Sequence, residues 1–477
     1  MIHSAAISAD VEEAAARHLL RRDRQEDLCF ALWHPSLGET RTTALIADLI
    51  LPEPGDRQVH GNASFNSQYF ERAISEAITA GAGLALLHSH PLGGGWQGMS
   101  DDDVFAEQGR AAAVLAATGM PLVGMTLAGT DRTWSARQWE RVAPHTYDRI
   151  DFESVRVVGK HLRVSRPGEP RLTQNAKLVR TISAWGPRVQ EMLAELKIGV
   201  IGCGSFGSVV AEGLARMGVR QVVLIDFDTV EIVNLDRLLH ANESHANLAM
   251  AKVEMISAAI RESATHPRFE VQSREFSVVE QVGYQAALDC DVLFSCVDRP
   301  WPRSVLNLIA LAHLIPVIDG GLRMQRAKTG DGLGRGDLKA LTVVPGRQCL
   351  ECVGQFSPEY VAVERDGFLD DPKYIDSLPI DHPLRARQNV FAFSLFGASL
   401  EIFQLLSLFV TPGGLADPGA QGYHFVPGLM DADWSSCKPT CLYAQLVGLG
   451  DNSGFNVTGR HLLAEAKREE RRKLQSC

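Results

Sequence analysis

The stretch Lys197 to Arg237, KIGVIGCGSFGSVVAEGLARMGVRQVVLIDFDTVEIVNLDR, reads as strand, glycine loop, helix, strand and acidic switch. The apolar run Ile198-Gly199-Val200-Ile201 ends at Gly202-x-Gly204-x-x-Gly207, and small and apolar residues at helical spacing (Val209, Val210, Leu214, Met217) follow. In such a loop the glycines supply a tight turn, close approach of backbone to a phosphate, and close helix–strand contact. Backbone N–H groups and the positive end of the helix dipole then face an anion. Asp226 closes the second strand, Val222 to Ile225, 19 residues after Gly207, where a ribose-binding carboxylate belongs. The expected fold is α/β, with a Rossmann-like, mostly parallel sheet.

A glycine triplet alone suits a dehydrogenase equally well. The residues that follow change the reading. Asp226-x-Asp228-x-Val230-x-x-x-Asn234-Leu235-x-Arg237 resembles the signature of the adenylating enzymes that activate ubiquitin and sulfur-carrier proteins, the ThiF/MoeB family. Hydride transfer needs no arginine there, whereas adenylation must neutralise a triphosphate and the charge that builds at the α-phosphorus. The resemblance implies ATP and Mg²⁺ as cofactors, Lys252 as a phosphate-binding lysine and Asp298, after Val292 to Val297, as a magnesium-binding aspartate. It also implies a phosphate-reaching arginine on the helix expected over Ala176 to Leu196. Arg180 stands in that place, with a plain surface arginine as the competing reading.

A second constellation lies near the N-terminus. Gly83 to Pro91, GLALLHSHP, reads as a buried strand ending in two histidines. Residues i and i+2 of a strand face the same way, so His88 and His90 present imidazoles to one point. After a glycine-rich loop, Gly93 to Gly98, Ser100-Asp101-Asp102-Asp103 opens a helix. His88, His90 and Asp103 supply three ligands for Zn²⁺ and leave the fourth tetrahedral position to a water. Glu26 is the candidate base for that water, Glu39 its reserve, and Ser100 the candidate donor to the developing oxyanion. This order, Glu then His-x-His-Pro then Ser-x-x-Asp, resembles the JAB/JAMM metalloisopeptidases, which cleave after ubiquitin-like C-termini. It departs from the family in one respect: nine residues separate His90 from Ser100 where seven are usual, which enlarges the loop carrying Trp96.

Cys349-x-x-Cys352 and Cys437-x-x-x-Cys441 form two close cysteine pairs, the pattern of a tetrahedral structural Zn²⁺ held by four thiolates. The ubiquitin-activating relatives carry a thioester cysteine in the crossover region between such pairs. Here no cysteine lies between Cys352 and Cys437. Cys203, Cys296, Cys29 and Cys477 are poor substitutes, and no catalytic nucleophile is assigned.

With 477 residues, two or three domains are expected: a metallopeptidase domain over 1–150, a linker over 151–175, an adenylating domain over 176–450 and a charged C-terminal helix over 451–477. The net charge of −10 argues against a general nucleic-acid binder. An odd count of nine cysteines and a first segment without signal-peptide pattern point to a reducing, cytoplasmic setting. Val390 to Val410 is apolar enough to span a bilayer but holds Glu401 and Gln404, so it reads as a buried helix with no membrane role. The resemblances together imply a fusion enzyme of a prokaryotic ubiquitin-like or sulfur-carrier pathway. Its partners would be a small β-grasp protein, a second copy of the chain through the adenylating domain, and a conjugating enzyme if conjugation follows. Sulfur-carrier activation for cofactor biosynthesis and a non-catalytic scaffold that binds a ubiquitin-like protein are the alternatives.

Overall fold

The computed structural model describes residues 1–168, 175–328, 331–379, 382, 388–409 and 415–475. Two compact units divide the chain. The first holds residues 1–170, 312–314 and 445–454; the second holds 171–311, 315–444 and 455–477.

The first unit runs β1 (Ile2–Ser8), α1 (Ala9–Leu19), β2 (Leu28–Leu37), β3 (Arg41–Ile50), a small hairpin of β4 (Arg57–His60) and β5 (Asn62–Phe65), and α2 (Ser67–Ala80). It continues through β6 (Gly83–His90), α3 (Asp101–Thr118), β7 (Leu122–Ala128), β8 (Trp134–Ala143), β9 (Thr146–Asp151), β10 (Ser154–Val158) and β11 (Leu162–Ser165). One sheet takes the order β11-β10-β1-β3-β2-β6-β7-β8-β9. The strands alternate: Cys29, Ala31, Ala85 and Leu87 enter the core that contains Ala15, Ala16 and Leu19 of α1. Leu28, Phe30, Leu84 and Leu86 enter the opposite core with Tyr69, Ala73 and Ala77 of α2 and Ala111 and Val114 of α3. The even-numbered face of β6 is therefore the one that α3 covers.

The expected boundary at 150 and linker over 151–175 need correction. Ser154–Val158 pairs in parallel with β1 and Leu162–Ser165 pairs with Ser154–Val158, so both strands complete this sheet. Their alternation is short and interrupted by Arg156 and Arg163, which hides it in the sequence. The tail of that linker, residues 169–174, lies outside the described residues. The expected C-terminal boundary at 450 shifts as well, because 445–454 belong to the first unit. There Leu37 N donates to Asp451 Oδ2 at 2.9 Å, Asn452 Nδ2 lies 2.9 Å from His34 Nδ1, and His313 Nδ1 lies 2.8 Å from Ser36 Oγ.

The second unit begins with α4 (Val179–Trp185) and α5 (Pro187–Ala194), where a single helix was expected. Gly186 takes φ +87° and Pro187 starts the next helix, a pair that ends one helix and opens another. Next come β12 (Lys197–Ile201), α6 (Ser205–Arg216), β13 (Gln221–Ile225), α7 (Glu243–Asn247), α8 (Lys252–Ser263), β14 (Glu270–Arg274), α9 (Gln281–Leu288), β15 (Val292–Ser295) and α10 (Pro300–Ala312). β16 (Val317–Arg326), β17 (Leu333–Val343), α11 (Pro358–Arg365), α12 (Pro372–Ser377), α13 (Phe391–Phe409), β18 (Ala420–His424), β19 (Leu429–Asp433) and α14 (Leu462–Gln475) complete it. The sheet order is β14-β13-β12-β15-β16-β17-β18-β19. β14 to β16 are parallel neighbours in the Rossmann manner, and β16 to β19 extend the sheet antiparallel. The class is α/β, as the glycine loop implies.

The apolar segment forms α13, long and apolar enough to cross a membrane. Its Ser394, Glu401, Gln404 and Ser407 are buried in protein. Gln404 Nε2 donates to Ala340 O and Gly419 O, and Thr342 Oγ1 donates to Gln404 Oε1. A side chain so satisfied by the sheet it packs on marks a core helix. Val410, the expected last residue, lies outside the described residues.

Candidate nucleotide and metal sites

At the mouth of the parallel sheet, Gly202 takes φ +89°, and Gly207 packs so closely that a Cβ there would meet Gly202 O at 1.9 Å. Neither position admits a side chain. Gly204, by contrast, faces open space. The loop is tied to the next strand: Gly202 N donates to Ile225 O at 2.9 Å and Cys203 N to Asp226 Oδ2 at 2.6 Å. Asp226 also accepts Asp228 N on Oδ1 at 2.7 Å. Burial, with the like charge of Asp228, raises the Asp226 carboxyl against the pull of Lys252.

Lys252 begins α8 and points its Nζ at Asp228 Oδ2, 2.9 Å away. Burial works against its charge, but Asp226, Asp228 and Asp298 outweigh that and hold its pKa above the ordinary lysine value. Asp228 is half-buried; desolvation would raise its carboxyl, but Lys252 and Lys467 bring it down to about 2. Asp298 is exposed at the end of β15, in the same electrostatic field. Four of the expected residues thus converge on one patch: Asp226, Asp228, Lys252 and Asp298. Three others are placed differently. Arg237 folds onto its own turn, donating to Val233 O at 2.6 Å and to Asp236 Oδ1 at 2.7 Å. Asn234 uses its Oδ1 to accept Glu231 N, stabilising the short turn that carries Arg237. Arg180 is exposed on α4, and no hydrogen bond or ion pair joins its guanidinium to the glycine loop among the described residues.

Residues 176–370 match the model of the ThiF family. The chain is similar to tRNA threonylcarbamoyladenosine dehydratase of Escherichia coli (strain K12), 28% identical over 141 residues. That alignment covers 30% of this chain and 52% of the relative. Molybdopterin-synthase adenylyltransferase of the same organism is 27% identical over 172 residues, covering 36% of this chain and 63% of the relative. Ubiquitin-like modifier-activating enzyme 5 of Drosophila willistoni is 26% identical over 144 residues, covering 28% and 34%. The chain spans about a third to just under two thirds of the length of these curated relatives. Among solved structures, E. coli MccB aligns with a TM-score of 0.43 at 19% identity, covering 58% of this chain and 75% of that one.

Cys349 and Cys352, inside the ThiF-like match, meet Cys437 and Cys441 from downstream of it. The Sγ atoms of Cys349, Cys352, Cys437 and Cys441 all lie within 4.8 Å of one another. Cys349 Sγ is 3.7 Å from Cys441 Sγ, and Cys349 N donates to Cys437 Sγ at 3.2 Å. Four converging soft donors with no open position suit a closed, structural Zn²⁺. The other thiols offer no nucleophile: burial pushes Cys29, Cys203 and Cys296 upward. Cys477 lies outside the described residues.

The first unit contains the other cluster. His88, His90 and Asp103 bring one ligand atom each within 4.8 Å of one another. His88 Nε2 is 3.4 Å from Asp103 Oδ1 and His90 Nε2 is 3.5 Å from Asp103 Oδ2. Burial would raise the Asp103 carboxyl, but the hydrogen bonds from both imidazoles hold it well below the usual range. Its position is fixed by a capping box, in which Ser100 Oγ accepts Asp103 N at 3.1 Å and Ser100 N donates to Asp103 Oδ2 at 2.8 Å. Ser100 therefore serves as the cap, and its hydroxyl proton remains to be donated.

Leu28 of β2 stands opposite His88 of β6 in an antiparallel register. Carried two residues back, this register sets Glu26 beside His90 on the face that α3 covers. Burial raises the Glu26 carboxyl, while the charges of His90 and His88 pull against that rise. Glu39 lies in the exposed turn after β2, at the far end of that ten-residue strand, on the order of 30 Å away. Sequence reading missed two supporting residues. Gln97 Oε1 lies 3.2 Å from His90 Nδ1, and Thr126 Oγ1 lies 3.3 Å from His88 Nε2. The signal for Gln97 was its place in the enlarged loop; Thr126, in the apolar run of β7, offered none. Trp96 turns inward and packs on the α1-side core.

Proposed function

We propose that the second unit activates the C-terminal carboxylate of a small ubiquitin-like or sulfur-carrier protein by adenylation. The observation that carries this reading is the convergence of Asp226, Asp228, Lys252 and Asp298 on the glycine loop within a segment that matches the ThiF family. In this reading a carboxylate oxygen of the partner attacks the α-phosphorus of ATP, and the bond to pyrophosphate breaks. The loop N–H groups and Lys252 take the phosphate charge, Asp226 takes the ribose, and Asp298 would hold Mg²⁺, which would supply positive charge against the pyrophosphate. Arg237 joins the phosphates by leaving its contacts with Asp236 and Val233. The names of the relatives, an adenylyltransferase and a ubiquitin-like modifier-activating enzyme among them, support the partner class. ATP–pyrophosphate exchange in the presence of a β-grasp partner tests this. Asp298→Ala should abolish exchange without changing the fold, and exchange near the wild-type rate in that variant refutes the site.

A second activity is favoured by one observation, the His88–His90–Asp103 cluster with Glu26 in its field. We assign to the first unit a zinc-dependent hydrolysis of peptide or isopeptide bonds after the same kind of tail. Zinc held by the three ligands would supply a polarised water. Glu26, kept partly protonatable by burial, would take the proton and pass it to the leaving amine, and the Ser100 hydroxyl would face the oxyanion. Glu26→Ala should keep its zinc and lose cleavage of a β-grasp fusion; cleavage at the wild-type rate would refute the base. The four-cysteine site would be structural, and the free thiols throughout the described residues fit a reducing compartment.

A further inference from the structure

The C-terminal helix α14 carries a basic inner face across the ThiF-like segment. Ala464 is fully buried, and Lys467, Arg468 and Arg471 follow it at helical spacing. Arg468 NH1 donates to Glu280 Oε2 at 2.8 Å, its NH2 bonds the other oxygen at 2.5 Å, and Arg471 pairs with Glu275. The lead-in to the helix is pinned too. Gly459 N donates to Val279 O at 2.8 Å, Trp301 Nε1 donates to Val457 O at 2.9 Å, and the His461 ring stands edge-on to Phe227 at 4.8 Å.

Each of these contacts docks the helix. Lys467 does something else. Its Nζ lies 2.5 Å from Asp228 Oδ1, 5.8 Å from the centre of the Phe227 ring and 3.7 Å from Glu231. Asp228 already holds Lys252 on its other oxygen. One carboxylate thus carries two ammonium groups, each with further N–H donors to give. A cation brought from 239 positions away to the partner of the phosphate-binding lysine has no docking task left to perform, since Arg468 and Arg471 already perform it.

We propose that Lys467 is a nucleotide-binding residue, a second ammonium that α14 supplies to the phosphates of ATP, with Asp228 holding it and Lys252 in place before the nucleotide arrives. This rests on the adenylating reading above. The many anchors of α14 argue for a fixed wall of the site and against a lid. ATP–Mg²⁺ titrated calorimetrically into the full chain, compared with Lys467→Met, Lys467→Arg and Lys473→Met, provides the test. Lys467→Met should bind ATP about tenfold more weakly or worse, the scale of one lost charge-assisted contact. Lys467→Arg should recover most of that loss because it keeps the charge, and Lys473→Met, on the outer face, should match wild type. Undiminished or tighter binding by Lys467→Met overturns the proposal, tighter binding marking Lys467 as a competitor of the phosphates. Equal losses in the Met and Arg variants overturn it as well, since the residue would then only support the helix. Absence of ATP binding in wild type fails the adenylating reading itself, a result distinct from the others.

Discussion

Gln97 Oε1 sits 3.2 Å from Nδ1 of His90, with the Gln97 amide held in turn by Gly94 O at 2.8 Å and Gly95 O at 3.1 Å. The enlarged loop after β6 thus ends on a metal-ligand candidate. A carbonyl oxygen at Nδ1 holds a proton there and, with a metal bound, would leave the Nε2 lone pair to the metal, which is the outer-shell pattern of metal-binding histidines. Gln97→Ala should lower Zn²⁺ affinity of the first unit roughly 10- to 100-fold while His88 and Asp103 stay in place. Competition with a chromogenic chelator measures it, and unchanged affinity would show the contact to be incidental.

Zinc content separates the two clusters. The double variant His88→Ala/His90→Ala should retain one zinc per chain, held by Cys349, Cys352, Cys437 and Cys441, because these donors meet without help from the first unit's cluster. Elemental analysis of the purified protein decides this; a double variant free of zinc means the four thiols do not hold a metal.

Behind His88, Thr126 Oγ1 accepts Arg137 NH1 at 2.7 Å, and Arg137 pairs with Glu107 through two bonds while Trp139 Nε1 donates to the same carboxylate at 2.8 Å. Arg137 and Glu107 are almost wholly buried, at 3% and 1% side-chain exposure. Removing one partner strands a buried charge, so Arg137→Met should destabilise the first unit by about 3–5 kcal/mol, and Glu107→Gln in the same chain should return part of that. Denaturant melts of the two variants and wild type provide the comparison.

Glu364, on α11, accepts the Trp301 N–H at 2.7 Å, and burial pushes its carboxyl from 4.5 to about 7. A raised folded-state pKa gives stability that is complete below 4.5 and disappears as the pH climbs through 7. The second unit should therefore lose up to about 3 kcal/mol from this group between those limits. Glu364→Gln should flatten that slope and be more stable than wild type at pH above 7; identical pH profiles would contradict it.

The sequence was most legible where chemistry and backbone geometry demand the same residues. Gly202 and Gly207 have no substitutes at their positions, and the strand-end carboxylate Asp226 is placed by the loop it hydrogen-bonds. The i, i+2 histidines were legible because a strand must put them on one face. Contacts made across long sequence separations were not. Lys467 reads as one charge in a run of charges, and nothing around it names Asp228 as its partner. Asn452 and Asp451 sit in a polar stretch whose return to β2 leaves no periodic trace. The strands after residue 151 are four and five residues long, too short for alternation to outweigh their arginines.

The return of residues 312–314 and 445–454 to the first unit has a consequence for synthesis on the ribosome. The sheet of that unit can form once its last strand emerges, but the hydrogen bond to Ser36 must wait for His313, and those to Leu37 and His34 must wait for Asp451 and Asn452. Gly450, at φ +49°, lies so near Pro35 that a Cβ there would meet Pro35 O at 2.2 Å, so this late piece closes against a surface already shaped to receive it. The first unit is thus begun well before it can be finished, and a fragment cut at residue 170 would be an unfinished intermediate.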